Sequence, residues 1–280
     1  MSRSIILLGG PDSGKTNYIG PLWRALDDKT GALHAVEQPK DIKFVLEVAD
    51  HLFQGSFAPR TELSDTRRDF EVLVAAIKDG PQSRVIMPDI SGELWRNAVA
   101  DNEISTDWMD ELKQADAALL FLRVGSDQDV RPLDWVASRK MLEKIGNEED
   151  QGIPTQVMLC ELIHFLEDSL TEREDGELPR LSVVVAAWDL VDAKQFENGP
   201  IAYIEREYPL VAGRLADLKA LNVQVFGLSS VGGDLKHDPV YRQAYLKAGT
   251  DGHGWVAMHD GNKWLKNSDI TLPVAWAVGL

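Results

Sequence analysis

Eight consecutive residues near the start of the chain have the types and spacing needed to bind a polyphosphate. They read Gly9-Gly10-Pro11-Asp12-Ser13-Gly14-Lys15-Thr16 and match the pattern G-x-x-x-x-G-K-[ST] at each fixed position. In such a loop, backbone N–H groups surround the phosphates and the lysine reaches the β- and γ-phosphates. Lys15 is therefore also a predicted catalytic residue, and the Thr16 hydroxyl is a predicted Mg²⁺ ligand. The predicted nucleotide-binding residues of this segment are Gly9, Asp12, Ser13, Gly14, Lys15, Thr16 and Asn17.

A second motif supplies further groups for the same chemistry. Asp89 follows the apolar run 84–88, and the residues Asp89-Ile90-Ser91-Gly92 form a D-x-x-G pattern. An aspartate at the end of a buried strand can hold Mg²⁺ through water, and the Gly92 N–H can bind the γ-phosphate. Glu93 comes next and is a predicted catalytic residue. The alternative for this motif is an ordinary turn at the end of a strand.

Two further strand ends carry residues that suit recognition of a base. Asp189 follows the apolar segment 181–187, and its carboxylate could accept hydrogen bonds from guanine N1 and N2, which adenine could not donate. Ser229 and Ser230 follow the segment 223–228, and a backbone N–H of such a loop could bind guanine O6. The alternative role for Asp189 is to cap the start of the next helix.

The elements that must position these residues alternate along the chain. Apolar runs predict strands at 4–8, 70–77, 84–88, 117–124, 181–187 and 223–228. Helical patterns lie at 16–27, 42–52, 107–114, 136–144, 155–168 and 201–220. This order predicts an α/β fold of the P-loop NTPase type, with a mostly parallel central sheet and helices on both faces. Residues 1–233 would form the nucleotide-binding domain, and 234–280 a C-terminal extension packed on the same domain.

Composition limits the partners and the compartment. The 280-residue chain has a formal net charge of −16, which argues against binding to nucleic acid or to an anionic membrane surface. Cys160 is the one cysteine, so the chain cannot form an internal disulfide. The N-terminal apolar run is too short for a signal peptide. We therefore expect a cytoplasmic protein whose partner, if any, is another protein.

The order of these motifs resembles that of Ras-like P-loop GTPases of the translation-factor-related (TRAFAC) class. The resemblance covers most of residues 4–233. The Asp-Ile-Ser-Gly-Glu sequence at 89–93, Pro-Arg-Thr at 59–61 and Trp-Asp-Leu at 188–190 are also similar to the bacterial double-GTPase group, which occurs in conflict-defence and signalling gene clusters.

This resemblance implies binding of GTP or GDP with Mg²⁺, slow GTP hydrolysis and a nucleotide-dependent switch read by a protein effector or regulator. It also implies a mobile loop that brings a threonine to the metal. Thr61 is the predicted residue for this Mg²⁺ and catalytic role, with Thr66 as the alternative. Arg60 could supply a positive charge to the transition state, although an arginine exposed to solvent is the simpler interpretation.

Two departures from the family pattern leave alternatives open. The base motif Asn/Thr-Lys-x-Asp reads Ala186-Ala187-Trp188-Asp189, so only its aspartate is kept. Glu93 stands where these GTPases usually have a glutamine that orients water. The chain could therefore be a nucleotide-binding scaffold with little or no turnover, or could bind ATP. A P-loop kinase is a third possibility, with lid arginines drawn from Arg131, Arg139, Arg173 and Arg180.

Overall fold

The computed structural model describes residues 4–58, 68–76, 82–89, 99, 106–130, 153–249, 252–261 and 263–279. The strands in these ranges are β1 (Ser4–Gly9), β2 (Leu33–Ala35), β3 (Arg68–Ala76), β4 (Ser83–Asp89), β5 (Ala115–Arg123), β6 (Arg180–Ala186), β7 (Asn222–Ser229), β8 (Trp255–Asp260) and β9 (Lys263–Asn267). The helices are α1 (Lys15–Asp27), α2 (Ile42–Phe53), α3 (Thr106–Gln114), α4 (Thr155–Ser169), α5 (Ala193–Glu207), α6 (Pro209–Asp217), α7 (Pro239–Ala248) and α8 (Leu272–Val278).

The main sheet has the strand order β1-β5-β6-β7-β8-β9. The pairs β1–β5, β5–β6 and β6–β7 are parallel, whereas β7–β8 and β8–β9 are antiparallel. The strands β2, β3 and β4 form an antiparallel group, and β4 lies beside β1. The predicted α/β fold with a mostly parallel central sheet is confirmed, and each of the six predicted strands is present within two residues of its predicted ends.

The first strand shows why the strands read as continuous apolar runs. Ile5 and Leu7 pack with α1, α2 and α8 in one core cluster. Ile6 and Leu8 pack with α3, α4, α5 and α6 in the other. Successive strand residues point to opposite faces, so both sets are buried only because helices cover both sides.

The prediction of one helix over 201–220 is wrong. Helix α5 ends at Glu207, and α6 starts at Pro209 after Tyr208, whose φ of −129° and ψ of 56° lie outside the helical region. A proline removes a backbone donor and disfavours a helical conformation at the residue before it. Pro209 therefore separates two helices that the apolar pattern alone had joined. The predicted helix 136–144 lies outside the described residues.

The C-terminal segment continues the sheet. Strand β8 pairs with the carboxyl end of β7, with Leu228 opposite Val256, and β9 completes a hairpin with β8. Helix α8 packs on β5 and β6, where Val274 and Ala277 are fully buried. The composition of 234–267 indicates a hairpin or an irregular extension. The hairpin is present, but neither its register nor helix α7 was predicted. The tail therefore lies directly beside the strand that carries Ser229.

Candidate nucleotide-binding site

The sheet brings the predicted functional segments together at the carboxyl ends of its parallel strands. In the parallel register Gly9 of β1 lies opposite Phe121, Arg123 of β5 opposite Ala186, and Ala186 of β6 opposite Leu228. The carboxyl ends of four neighbouring strands therefore lie side by side. Open α/β sheets bind their ligands at this edge. The glycine loop, Asp189 and Ser229 all follow directly from it.

The glycine loop turns sharply between β1 and α1. Gly9 has a φ of 145° and Gly14 a φ of 92°, and Asp12 is left-handed at 57°. A Cβ on Gly9 would lie 2.6 Å from the Phe121 carbonyl oxygen and 2.8 Å from Ser13 Oγ, closer than side-chain contacts allow. Gly9 is thus required by both its backbone angle and the closeness of β5.

Lys15 lies within the curve of this loop and is only 6% exposed. Its Nζ donates to Gly9 O at 3.0 Å, Gly10 O at 3.3 Å and Ser13 Oγ at 3.2 Å. The loop therefore wraps around the ammonium group that was predicted to bind phosphates. This arrangement concentrates positive charge at the N-terminus of α1, where the helix dipole also favours an anion.

Thr16 and Asn17 occupy the first turn of α1, both partly buried. The Asn17 Oδ1 accepts a hydrogen bond from the Ala58 backbone N–H at 3.0 Å. Ala58 is the last described residue before 59–67, which contain Arg60, Thr61 and Thr66. The start of that predicted switch segment is therefore tied to the helix turn that follows Lys15.

Asp189 and Ser229 are brought into direct contact. Asp189 lies in a single 3₁₀ turn, 188–190, directly after Ala187, which is left-handed with a φ of 54°. Burial raises the pKa of the Asp189 carboxyl, and a hydrogen bond from the Ser229 side chain opposes this rise. Ser229 is fully buried and its Oγ also accepts from the Gly232 N–H at 2.8 Å. The serine therefore lies beside the carboxyl group, where β6 and β7 end. Ser230, the next residue, is partly buried.

Trp188, beside the predicted base-reading residue, belongs to the core. It is fully buried, meets the Tyr203 ring edge-on at a centroid distance of 5.5 Å and covers Gly227. A Cβ on Gly227 would come within 2.6 Å of the indole. The indole thus fixes the position of the turn that carries Asp189.

The C-terminal hairpin reaches the same turn. A cleft of about 290 Å³ beside Asp189 is lined in part by Phe196, Trp255 and Lys266. The Lys266 ammonium lies 4.2 Å from the centroid of the Trp255 ring, a distance typical of a cation–π contact. Side chains of β8 and β9 therefore form one wall next to the predicted base site.

The remaining predicted residues belong to the metal-binding and switch segments. Asp89 is the last residue of β4, opposite Arg68 on β3, and β4 lies beside β1, which leads into the glycine loop. Gly92 and Glu93, like Arg60, Thr61 and Thr66, lie outside the described residues, so their roles stay predictions.

Two of the four arginines of the kinase alternative lie in the described part of the chain. Arg173 and Arg180 donate to the carbonyl oxygens of Ala277 and Trp276, at 3.2 Å and 2.7 Å, and so hold α8. Arg131 and Arg139 lie outside the described residues.

Sequence reasoning missed Arg123, whose guanidinium Nη1 pairs with Asp12 Oδ1. The available signal was a single cation that ends β5 after the apolar run 117–122. Its spatial partner, however, lies 111 positions earlier in the chain. A parallel neighbour of this kind cannot be read from local spacing.

The strand order, together with the motifs that follow the carboxyl ends of neighbouring strands, defines a P-loop nucleotide-binding protein. The chain matches the family Double-GTPase 1 over residues 6–277, and the protein belongs to that family. The resemblance to double-GTPases inferred from the motifs is thus confirmed. Membership makes it a GTP-binding protein of the P-loop GTPase class. No curated protein matches the chain in sequence.

Two solved structures are similar to the chain at low identity. One is a chain of the signal recognition particle receptor SRb-GTP/SRX complex from Chaetomium thermophilum, with 14% identity, a TM-score of 0.38 and coverage of 87% of this chain and 97% of that chain. The other is a bacterial selenocysteine-specific elongation factor, EF-Sec, with 12% identity and a TM-score of 0.37. It covers 90% of this chain and 30% of that chain.

Within the described ranges, no helix is both long and apolar enough to cross a membrane.

Proposed function

We propose that the protein binds GTP and GDP with Mg²⁺, hydrolyses GTP slowly and acts as a nucleotide-dependent switch in the cytoplasm. The observation that carries this proposal is the joint geometry of two segments at one sheet edge. The glycine loop encloses the buried Lys15 ammonium, and the turn after β6 places the Asp189 carboxylate beside Ser229. One segment suits phosphates and the other suits the donor edge of guanine.

The donor chemistry of the chain fits Mg²⁺. The metal prefers hard oxygen ligands and usually keeps several waters while contacting phosphate. The Thr16 hydroxyl, at the start of α1, and the carboxylate of Asp89 would hold it, and Thr61 would complete the set in the GTP state. The metal would neutralise charge on the β- and γ-phosphates. The chain's own contribution is to orient the triphosphate with Lys15 and the loop N–H groups.

Base selection would rest on Asp189. Its carboxylate would accept from guanine N1–H and N2–H, and a backbone N–H at Ser230 would donate to O6. An adenine in the same place would leave the buried acceptors unpaired, which costs affinity. Because Ala187 replaces the lysine of the family motif, we expect a weaker preference for guanine than the full motif provides.

Glu93 is expected to keep hydrolysis slow. A glutamine in this position orients the attacking water, whereas a carboxylate adds negative charge beside the γ-phosphate. The base motif supports a second candidate function. The Ala186-Ala187 pair in the base motif favours a scaffold that binds nucleotide with little or no turnover.

Titration with three nucleotides tests the proposal. Labelled GTP and GDP should bind with Mg²⁺ present, and ATP should compete at least about tenfold less well, the cost of one unpaired buried group. Phosphate release from GTP should then be slow but measurable. Equal competition by ATP would reject guanine selection. Binding without phosphate release would support the scaffold instead of the enzyme.

Hydrogen exchange tests the switch. Segments 55–66 and 92–100 should exchange more slowly with a non-hydrolysable GTP analogue than with GDP, since the γ-phosphate and its metal order such loops. The Asn17–Ala58 hydrogen bond ties the first segment to the phosphate-binding turn, so the effect should begin at Ala58. Helix α6, which packs on α4 and α5, serves as an internal reference that should not change. Identical exchange in both states would rule out the switch.

The partner of such a switch is expected to be a protein. The net charge of −16 favours a partner with a basic contact face, because complementary charge accelerates association.

A further inference from the structure

Asp12 places a carboxylate inside the loop that is proposed to hold phosphates. A negative charge there opposes binding of a polyanion, and the effect grows with each added phosphate charge. The left-handed backbone at Asp12, with a φ of 57°, is one that aspartate adopts more readily than most residues. The left-handed backbone thus accounts for a short polar side chain at position 12. The negative charge of the Asp12 carboxylate still needs a compensating positive charge.

Both carboxylate oxygens of Asp12 are held by the segment at the end of β5. Arg123 Nη1 pairs with Oδ1, and Ser126 Oγ donates to Oδ2 at 3.2 Å. The two side chains of this pair are only 24% and 25% exposed, so solvent screens their attraction less than at an open surface. The carboxylate is therefore paired by groups that lie outside the glycine loop.

Other elements fix this segment in place. The Tyr208 hydroxyl donates to the Arg123 carbonyl oxygen at 3.3 Å and to the Asp129 carboxylate. The Val124 N–H donates to Ala186 O at 3.0 Å, on the strand that leads to Asp189. The Arg123 charge also acts to lower the pKa of Asp189. Arg123 therefore pairs with the glycine loop through its side chain, and its backbone segment is held by Tyr208 and by β6.

We propose that Arg123 is a positioning and charge-compensating residue of the nucleotide site, which neutralises Asp12 and holds its carboxylate away from the bound phosphates. The proposal rests on the proposed function and adds a residue outside the recognised motifs. The sequence at 9–16 can bind a triphosphate despite its internal aspartate because a neighbouring strand supplies the opposite charge.

Affinities for GTP, GDP and GMP in variants of the pair test this proposal. Arg123→Ala should weaken GTP binding by about tenfold, GDP binding less and GMP binding least, because the freed Asp12 charge repels each phosphate. Asp12→Asn, which is nearly isosteric and removes the charge that Arg123 neutralises, should bind GTP more tightly than Arg123→Ala does. In the Asp12→Asn background, Arg123→Ala should cause a smaller loss, because no carboxylate is then freed to approach the phosphates. Arg123→Lys should retain most of the affinity in the original background.

A matched control separates this role from a structural one. Arg214 on α6 pairs with Glu167 on α4, with side chains 26% and 23% exposed, nearly the same as in the Asp12–Arg123 pair. Arg214→Ala should lower thermal stability in a similar way but leave all three nucleotide affinities unchanged. If Arg123→Ala does not fold, Arg123→Gln replaces it, because glutamine keeps a polar side chain without the charge.

Other affinity results would reject either charge compensation or the proposed function. Equal losses for all three nucleotides, or an undiminished loss in the Asp12→Asn background, would overturn charge compensation. Failure of the wild-type protein to bind any of the nucleotides would instead reject the proposed function and this proposal with it.

Discussion

Replacing Lys15 by alanine is expected to reduce the affinity for both GTP and GDP by about 100-fold, measured by titration with labelled nucleotide. A charge-assisted hydrogen bond contributes about 1.5–3 kcal/mol, and 1.4 kcal/mol corresponds to a factor of ten. Lys15 Nζ already lies within hydrogen-bond distance of the Gly9 and Gly10 carbonyls, at the centre of the loop. It can therefore reach phosphates without reorganising the backbone.

Two comparisons make this result specific. Lys247→Ala removes an exposed lysine from α7 and changes the net charge equally, so it should leave nucleotide affinity unchanged. Lys15→Met fills much of the space of the original side chain and should behave like Lys15→Ala if charge is the reason. Unchanged affinity in both Lys15 variants would show that the nucleotide, if bound, lies elsewhere.

The phosphate loop could be predicted from sequence because all its requirements are local. Gly9 and Gly14 provide backbone angles that other residues avoid, and Lys15 follows at fixed spacing. The strand before the loop and the helix after it are each encoded by a continuous stretch of chain. Packing confirmed them without altering their bounds by more than one residue.

The base turn was only partly predictable. Asp189 could be recognised as the end of an apolar strand, but its contact with Ser229 depends on the parallel pairing of β6 and β7. Arg123 was missed for the same reason, since its partner Asp12 lies 111 positions earlier in sequence, in the loop that follows the neighbouring strand β1. The break between α5 and α6 has a local signal in Pro209, but the apolar pattern of a helix continues across it.

The C-terminal tail shows a different limit. Strand β9 has a mixture of exposed and half-buried residues because it forms an edge of the sheet. An edge strand of this kind lacks the continuous apolar run that identified the central strands. Its place next to β8 follows from a hairpin pairing that composition does not encode.

Asp189→Asn is expected to change which purine the protein binds. Aspartate offers two acceptors, whereas asparagine offers one acceptor and one donor. Guanine presents two donors at N1 and N2, but xanthine presents a donor at N1 and an acceptor at O2. The variant should therefore lose at least about tenfold in affinity for GTP, the minimum for one mismatched hydrogen bond, and should gain affinity for xanthosine triphosphate. Titration with both nucleotides measures the exchange.

The ligand-free stability of the same variant shows whether the loss belongs to recognition or to folding. Burial raises the pKa of the Asp189 carboxyl. The charged form therefore costs stability in full at pH values above that raised pKa, and the cost declines below it until it is gone under the ordinary pKa of the unfolded chain. Asparagine has no such cost and still accepts a hydrogen bond from Ser229. At neutral pH the variant should thus melt at or above the wild-type temperature, and this advantage should vanish on acidification.

A destabilised variant that binds neither purine nucleotide would assign Asp189 a structural role in the turn. A stable variant that keeps its preference for GTP would place base recognition outside this residue. If stability is retained while the preference moves to xanthine, then the chain keeps a partly buried carboxylate at the expense of its own stability. In that case the charge does not stabilise the folded protein, and its role is to accept hydrogen bonds from guanine N1–H and N2–H.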